Sequence, residues 1–494
     1  MNNPLYDTMF APHAGKDTPF LHLPEGGVIT HDAFVRRAAQ LAYALRALGL
    51  HAGDRVAVQV EKCPDMLALY AACAQMGAIF LPLNTAYTAA ELEYFVSDSG
   101  AALLVGDPAR EAELRGLADA FASLNAEGGS LSDLADGQAE AFSTVERHED
   151  DLAAFLYTSG TTGRSKGAML SQKNLISNAA TLTELWQFTR DDVLLHGLPI
   201  FHTHGLFVAT NVMLMAGGSM VFMPRLDVDA LIDWMPRATS MMGVPTFYTR
   251  LLEDARFNRD VAANMRLFIS GSAPLLADTH VAFEERTGHR ILERYGMTET
   301  NMNTSNPYEG ERRAGTVGLP LPDVELRIAD ERGVELPRGE TGVVEVRGPN
   351  VFLGYWKMSQ KTEAEMRPDG WFITGDLGIQ DAAGYVTIVG RGKDLIISGG
   401  YNIYPKELEL VLDAAEGVLE SAVIGVPHSD LGEVPLAVLV PQAGAQIDLD
   451  GIKTQVDDAL ARFKQPRAYR IVDALPRNTM GKVQKVALRA EFSG

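Results

Sequence analysis

Residues 157–167 read YTSGTTGRSKG, and an apolar run at 153–157 leads straight into them. A buried strand that opens into such a loop constrains the surrounding fold more than any other stretch of this chain. Glycines at 160, 163 and 167 let the backbone turn so that amides converge. Hydroxyls at Thr158, Ser159, Thr161 and Thr162 add donors, and Lys166 adds positive charge. Those are the requirements of a phosphate site. The Walker pattern places Gly-Lys five and six residues after its first glycine, whereas Ser165 stands five residues after Gly160. The sequence therefore predicts a phosphate loop of another kind. Taken alone, a Gly/Ser/Thr-rich loop is as often a plain surface connection.

Around that loop the chain alternates helix and strand. Phe34, Ala38, Leu41, Leu45 and Leu48 recur at helical spacing, with Thr30 as cap and Gly49 as stop. Strands are expected at 55–60, 79–83 and 101–105, with a helix from about Thr88. The apolar stretch 66–83 is broken by Gln75, Gly77 and Pro82, so it reads as a buried helix and a buried strand rather than a membrane span. Residues 124–150 are acidic and small and read as a solvated lead-in to the loop. A second strand–helix series runs from 159 to about 308. This rhythm predicts an α/β fold with two helix-covered, mostly parallel sheets. From about 315 to 389 short runs such as VELRIA, GVVEVRG and GYVTIVG alternate with turns, which predicts a small β-barrel or sandwich. After RGKD at 391–394 the chain reads as a small α+β unit: helix, two strands, helix, strand, glycine-bearing loop. At 494 residues it exceeds one ordinary core. We place the boundary at Lys393, giving domains 1–392 and 393–494.

The net charge of -21 disfavours nonspecific attraction to nucleic acid or an anionic membrane. Local cations and amides can still hold an anion. Cys63 and Cys73 cannot make a disulfide framework and read as reduced, buried thiols. The N-terminal residues show no basic region followed by an apolar one, so no signal peptide is expected, and the location is expected to be cytoplasmic.

Further strings follow the loop in order: ERYGMTET at 293–300, WFITGDLG at 371–378, GRGKDLIISGGYNIYPKELE at 390–409 and PRNTMGKVQK at 476–485. Together with YTSGTTGRSKG they resemble the ordered motifs of the acyl-adenylate-forming superfamily, which holds acyl-CoA synthetases, firefly-type luciferases and peptide-synthetase adenylation domains. The resemblance spans most of the chain. It implies the adenylate-forming fold, with a large nucleotide- and acyl-binding domain and a small mobile catalytic domain hinged near Lys393. It implies ATP, Mg²⁺ and CoA, and a two-step reaction: an acid attacks the α-phosphate to give acyl-AMP and pyrophosphate, then a CoA thiolate displaces AMP.

The resemblance also implies roles. Thr158, Ser159, Gly160, Thr161, Thr162, Gly163 and Lys166 would cradle phosphates. In ERYGMTET, Glu293, Arg294, Tyr295, Gly296 and Met297 would line the nucleotide, with Tyr295 against the adenine face. Thr298 would donate to the α-phosphate, and Glu299 would hold Mg²⁺, which takes oxygen ligands and few protein carboxylates. Gly271, Ser272 and Ala273 of SGSAP would lie by the adenine and the acyl chain. Asp376 would accept the ribose hydroxyls, with Arg391 beside it; alone, Asp376 is a turn aspartate. Lys482 would neutralise charge as carboxylate attacks phosphate, and Ser398, Gly399 and Gly400 would line a pantetheine tunnel. Lys485 reads as an ordinary surface lysine. The resemblance also implies that Lys482 would be a target for a lysine acetyltransferase, which would remove its charge.

The acid is read from the string LPIFHTHGLF, where His202 follows Phe201. Peptide-synthetase adenylation domains carry an aspartate there for an amino group, so His202 belongs instead to an acyl and catalytic site for another acid. His202 and His204 have a zinc-like spacing but no partner cluster in the sequence. Arg250, on the helix that lines the acyl site in this superfamily, and Arg294 are cations in a pocket where a fatty or aromatic acid wants none. A second carboxylate would want one, through paired charge-assisted hydrogen bonds. Ser270, Ser272, Met297 and Met302 would line a small pocket, and Arg312 and Arg313 are a rival pair. The strings GVPTFYTRLL, ERYGMTETNMNTSNP and GERRAGTVGLPLP resemble malonyl-CoA synthetases within the superfamily, so malonate is the expected acid. Methylmalonate, a short fatty acid or a hydroxycinnamate is the alternative, as is a non-catalytic nucleotide-binding protein. A monomer or weak homo-oligomer without nucleic-acid or membrane partners is expected.

Overall fold

The computed structural model describes residues 2–158, 165–398, 401–428, 431–460, 462, 464–478 and 481–492. The chain divides into two compact units, Met1–Glu325 with Arg347–Phe372, and Leu326–Val346 with Ile373–Gly494. This division differs from a boundary at Lys393. The β-rich strands assigned to the first 392 residues group instead with the C-terminal part.

The first unit holds two sheets. In the seven-stranded one the order is Gly354–Tyr355, Lys166–Ser171, Leu152–Thr158, Ile79–Pro82, Arg55–Gln59, Leu103–Gly106 and Ala120–Ser123. All pairings are parallel from Leu152–Thr158 to Ala120–Ser123. The nine-stranded sheet runs Leu319–Pro320, Asn301–Ser305, Leu292–Met297, Leu267–Ser270, Ser240–Gly243, Val193–His196, Ser219–Phe222, Pro19–His22 and Val28–Thr30. Its middle is parallel and its ends are antiparallel.

Local signals place the helices. Thr30 accepts from the Ala33 amide at the start of His31–Ala47, and Gly49 follows its end at φ +88°. Phe34, Ala38, Leu41 and Leu45 form its buried face. The apolar stretch is a fully buried helix, Pro64–Met76, closed by Gly77 at φ +77°, and then the strand Ile79–Pro82. Thr88 and Glu91 make a capping box for Ala89–Ser99. Residues 124–150 are not a solvated lead-in. The short helix Ser130–Ala135 buries Leu131 and Ala135, and Phe142 is buried with the Arg46 guanidinium 4.1 Å from its ring centre.

The strands that flank the glycine-rich stretch pair with each other. Leu152–Thr158 and Lys166–Ser171 pair antiparallel, with Tyr157 opposite Gly167 and Thr158 opposite Lys166. Residues 159–164 therefore connect the arms of a hairpin. The helix Gln172–Leu185 begins only after Ser171, which caps it with Asn174. Gly167 answers to packing rather than to phosphate: a Cβ there would lie 2.3 Å from the Phe155 ring.

The second unit contains the β-rich part as a four-stranded sheet ordered Glu325–Ala329, Gly342–Arg347, Phe372–Gln380, Val386–Arg391. A second sheet is built on the long pair Val418–His428 and Gly432–Pro441, joined by Ile396–Ser398, Tyr401–Ile403 and Ala468–Ile471. Strand alternation covers both faces. Val423 packs with Leu408, Leu412, Ile452 and Val456, while Ala422 and Ile424 pack with Leu475 and Leu488. Leu488 belongs to a terminal helix, Lys485–Phe492, that the sequence reading left out. No helix among the described residues is long and apolar enough to cross a membrane.

Candidate active site

Two parallel strands of the nine-stranded sheet, Ser240–Gly243 and Leu267–Ser270, end side by side, and a third, Leu292–Met297, runs on past them. Gly243 stands opposite Ser270, and Ser270 opposite Glu293. Open α/β sheets bind ligands beyond such ends. The residue after Glu293 is Arg294, which is 4% exposed, and its Nε and Nη2 have no hydrogen-bond partner among the described residues. A Cβ at position 271 would lie 2.3 Å from the Arg294 Cζ, so the absence of a side chain at Gly271 makes room for the guanidinium. Glu293 does not neutralise it. Neighbours on a strand face opposite ways, and Glu293 turns to His280 Nδ1 at 3.6 Å and to the Gly315 amide at 3.4 Å. Burial pulls Arg294 down to about 9, still well above neutral, so the cation stays charged.

The surroundings of Arg294 are polar and under-satisfied. Ser270 Oγ and His204 Nε2 are buried without hydrogen-bond partners among the described residues. His204 Nδ1 lies 3.1 Å from Ser272 Oγ, and Ser272 holds a left-handed φ of +71°, the kind of strain that collects at functional sites. His204 opens a π-helical turn, His204–Thr210, another feature frequent at such sites. Burial, then Arg294 and His202, keep the His204 pKa far below its ordinary value, so it is neutral. A buried lysine anchors this turn. Lys62 Nζ donates to the carbonyls of His196 and Leu198 at 2.7 and 3.0 Å and lies 3.1 Å from His196 Nδ1. His196 Nε2 then donates to the Gly205 carbonyl at 3.0 Å. His202 is half-buried at the entrance to the turn, its Nδ1 facing the His204 amide at 3.5 Å.

The candidate clamps separate clearly. Arg250 is exposed in the last turn of Pro245–Glu253, whose buried face is Phe247, Tyr248 and Leu251. Arg312 braces its own loop by donating to the carbonyls of Pro307, Tyr308 and Arg290, and Arg313 pairs with Glu311. Arg294 alone among these arginines is buried without a carboxylate.

The nucleotide motifs meet in the same unit. Leu292–Met297 and Asn301–Ser305 form a hairpin with Thr298–Glu299–Thr300 at its tip. Tyr295, Gly296, Met297 and Thr298 are half-buried and reachable, while Glu299 is 4% exposed and Met302 is buried. Glu299 accepts from Thr158 Oγ1 at 3.4 Å, and Tyr355 OH lies 2.9 Å from it. This all-oxygen group around one carboxylate fits Mg²⁺. Lys166, expected to face phosphate, lies 3.5 Å from both Glu365 oxygens and 4.0 Å from the Tyr355 ring centre. Tyr355 and Glu365 were not read from the sequence; the GYW string at 354–356 was the available signal. Gly271, Ser272 and Ala273 follow the strand Leu267–Ser270.

In the second unit, Asp376 and Arg391 are cross-strand partners joined by a 2.9 Å ion pair. Lys482 lies exposed on a tight turn, its amide donating to Asn478 Oδ1 at 2.9 Å. Although the residue as a whole is exposed, desolvation of its ammonium, then the positive Arg391 and Lys393, lower its pKa to about 8, with Asp376 and Asp394 opposing them. Lys485 is not a free surface lysine but pairs with Glu409 at 2.5 Å. Lys393 is exposed in the short turn Gly392–Asp394, and Ser398 is buried. Ser159, Gly160, Thr161, Thr162, Gly163, Gly399 and Gly400 lie outside the described residues.

The chain is similar to known proteins along most of its length. Residues 11–356 match the AMP-binding enzyme family and residues 407–482 the AMP-binding enzyme C-terminal domain. Feruloyl-CoA synthase of an Amycolatopsis species is 36% identical over 99% of this chain and 98% of its own. Malonate–CoA ligase of Arabidopsis thaliana is 33% identical over 88% of this chain and 78% of its own. The crystal structure of ATP-bound MatB from Rhodopseudomonas palustris superposes with a TM-score of 0.97 at 55% identity, covering 100% of this chain and 99% of that one. With family matches over both its large and its small part, the chain belongs to the AMP-binding enzymes.

Proposed function

We propose that the chain is a malonate–CoA ligase, an AMP-forming acyl-CoA synthetase that makes malonyl-AMP and pyrophosphate from malonate and ATP, then malonyl-CoA and AMP. One observation carries the choice of acid: the buried guanidinium of Arg294, whose Nε and Nη2 have no hydrogen-bond partner among the described residues and whose charge acts on His204. A buried cation without a counter-ion is costly unless a ligand supplies the charge. Malonate has one carboxylate to react and one to spare. The malonate–CoA ligase of Arabidopsis is a relative over 88% of this chain and 78% of its own.

The reaction follows from these side chains. Arg294 binds the distal carboxylate and so orients the other toward the α-phosphate. Glu299 with Thr158 and Tyr355 would hold Mg²⁺, which neutralises triphosphate charge. Tyr295 lies against adenine, Thr298 donates to the α-phosphate, and Asp376 with Arg391 binds the ribose. Lys482 steadies the charge that develops as two anions approach. A rotation about Lys393 then exchanges Lys482 for Ser398, Gly399 and Gly400, which admit the thiol arm of CoA. Acetylation of Lys482 by a lysine acetyltransferase would silence the first step. The protein acts in the cytoplasm as a monomer or weak homo-oligomer.

The test is CoA-dependent AMP formation with malonate, methylmalonate, succinate, acetate, butyrate and coumarate. Malonate should lead by orders of magnitude, with acetate nearly silent. Coumarate matters because feruloyl-CoA synthase is a relative; if it or acetate wins, the choice of acid is wrong while the chemistry stands.

A pH dependence follows from Lys482. Its pKa falls to about 8, so the ammonium is present below that value and lost as pH rises through it. Pyrophosphate exchange at limiting ATP should decline above about pH 8 with one ionisation. Lys482→Arg, weaker overall, should lose that limb because its charge persists. A limb that stays in the arginine variant would assign it to another group.

A further inference from the structure

Lys166 ends the glycine-rich loop, yet it is already engaged. It is 8% exposed, and both Glu365 oxygens stand 3.5 Å from its ammonium. Charge-assisted contacts of this kind are normally shorter, near 2.7–2.9 Å. The ring of Tyr355 lies 4.0 Å away and supplies a second weak attraction. Lys166 is thus held, but loosely.

The chain is built to deliver this arrangement. Gly354–Tyr355 pairs with the strand that Lys166 begins, with Tyr355 opposite Ala168. Gly354 has φ +126°, and a Cβ there would lie 2.7 Å from Thr362 Cγ2. Only glycine lets Ser359–Glu365 come so close, and Thr362 Oγ1 accepts from the Tyr355 amide at 2.9 Å. That contact sets Glu365 over the phenol. Tyr355 OH is 2.7 Å from Glu365 Oε2 and 2.9 Å from Glu299 Oε1. A phenol has one proton and can donate to only one of two carboxylates. Glu365 has another cation as well, Lys361 at 2.7 Å, so it does not depend on Lys166 for its charge balance.

We propose that Glu365 is a positioning residue that holds Lys166 until the β- and γ-phosphates of ATP displace it as the partner, and that the Tyr355 hydroxyl, by donating to Glu365, keeps that hold weak. Glu365 competes with the triphosphate for one ammonium, while Lys361 keeps Glu365 neutralised after the exchange. Tyr355 links the exchange to Glu299 by way of its single proton. AMP, which lacks the outer phosphates, does not drive it. The inference rests on the reading of this site as one that binds ATP.

The experiment is calorimetric binding of ATP and AMP to the full chain without Mg²⁺, using wild type, Glu365→Gln, Tyr355→Phe, Lys166→Ala and the Glu365→Gln/Lys166→Ala pair. Thermal unfolding of each checks that it is folded. Glu365→Gln should tighten ATP by about two- to fivefold, the scale of one partly exposed ion pair, and leave AMP unchanged. Tyr355→Phe, which frees Glu365 to hold Lys166 and bares Glu299, should weaken ATP. In the Lys166→Ala background Glu365→Gln should have no effect. Unchanged or weaker ATP binding in Glu365→Gln, or an effect that survives without Lys166, overturns the proposal while leaving the proposed function intact. A wild type that binds neither nucleotide overturns both.

Discussion

Arg294→Ala should lower kcat/KM for malonate by about 100- to 10,000-fold, the value of two charge-assisted hydrogen bonds at roughly 1.5–3 kcal/mol each. Any acetate side activity should fall little, because acetate has no second carboxylate to lose. Arg250→Ala should matter far less, since that side chain is exposed. Gly271→Ala should imitate the Arg294 loss in part, because its Cβ would meet the guanidinium. A second readout separates binding from structure. Arg294→Met replaces a buried, unpartnered cation by an apolar group, so the ligand-free variant should unfold at a higher temperature, with a gain of about 1–4 kcal/mol. The two effects have opposite signs, as expected where a binding site is held in a strained, charged state. If Arg294→Ala costs malonate and acetate equally, the clamp assignment fails. If Arg294→Met lowers stability, the guanidinium has a structural partner instead.

The sequence made the chemistry legible and left its wiring hidden, for a physical reason. Helix caps, the buried run at 66–83 and the hairpin-flanked loop are local, and local signals such as Thr30, Thr88 and Gly77 appear where the elements begin and end. The contacts that decide the site are not local. Lys166 meets Glu365 across 199 residues, and Thr158 meets Glu299 across 141. Neither pair has a spacing that a string can show. Glu293 and Arg294 are adjacent, and only strand alternation, seen once the register is known, sends one to His280 and the other into the pocket. Arg250 and Arg294 looked equivalent as sequence. Burial distinguishes them, and burial depends on which face of Pro245–Glu253 packs. The β-rich stretch was recognised by its alternation, but its grouping with the C-terminal part is a property of packing.

Lys482→Ala should stop the first half-reaction and spare the second. Pyrophosphate exchange with malonate should fall by at least about 100- to 1,000-fold, the scale of losing one preorganised charge donor at a transition state. Thioester formation from supplied malonyl-AMP and CoA should stay within a few-fold of wild type, because no new anion meets the phosphate in that step. The turn itself should survive the change. Asn478 holds it through the backbone amide of position 482, which alanine retains, and Lys485–Glu409 and Arg477–Glu420 fix its two flanks. Glu409→Gln gives the complementary case. It loosens the flank without touching Lys482, so it should lower exchange by only several-fold, with rescue in a Glu409→Asp protein if the carboxylate still reaches Lys485. Equal loss of both half-reactions in Lys482→Ala would mean that the residue supports the domain rather than the chemistry, and would leave adenylation without its cation.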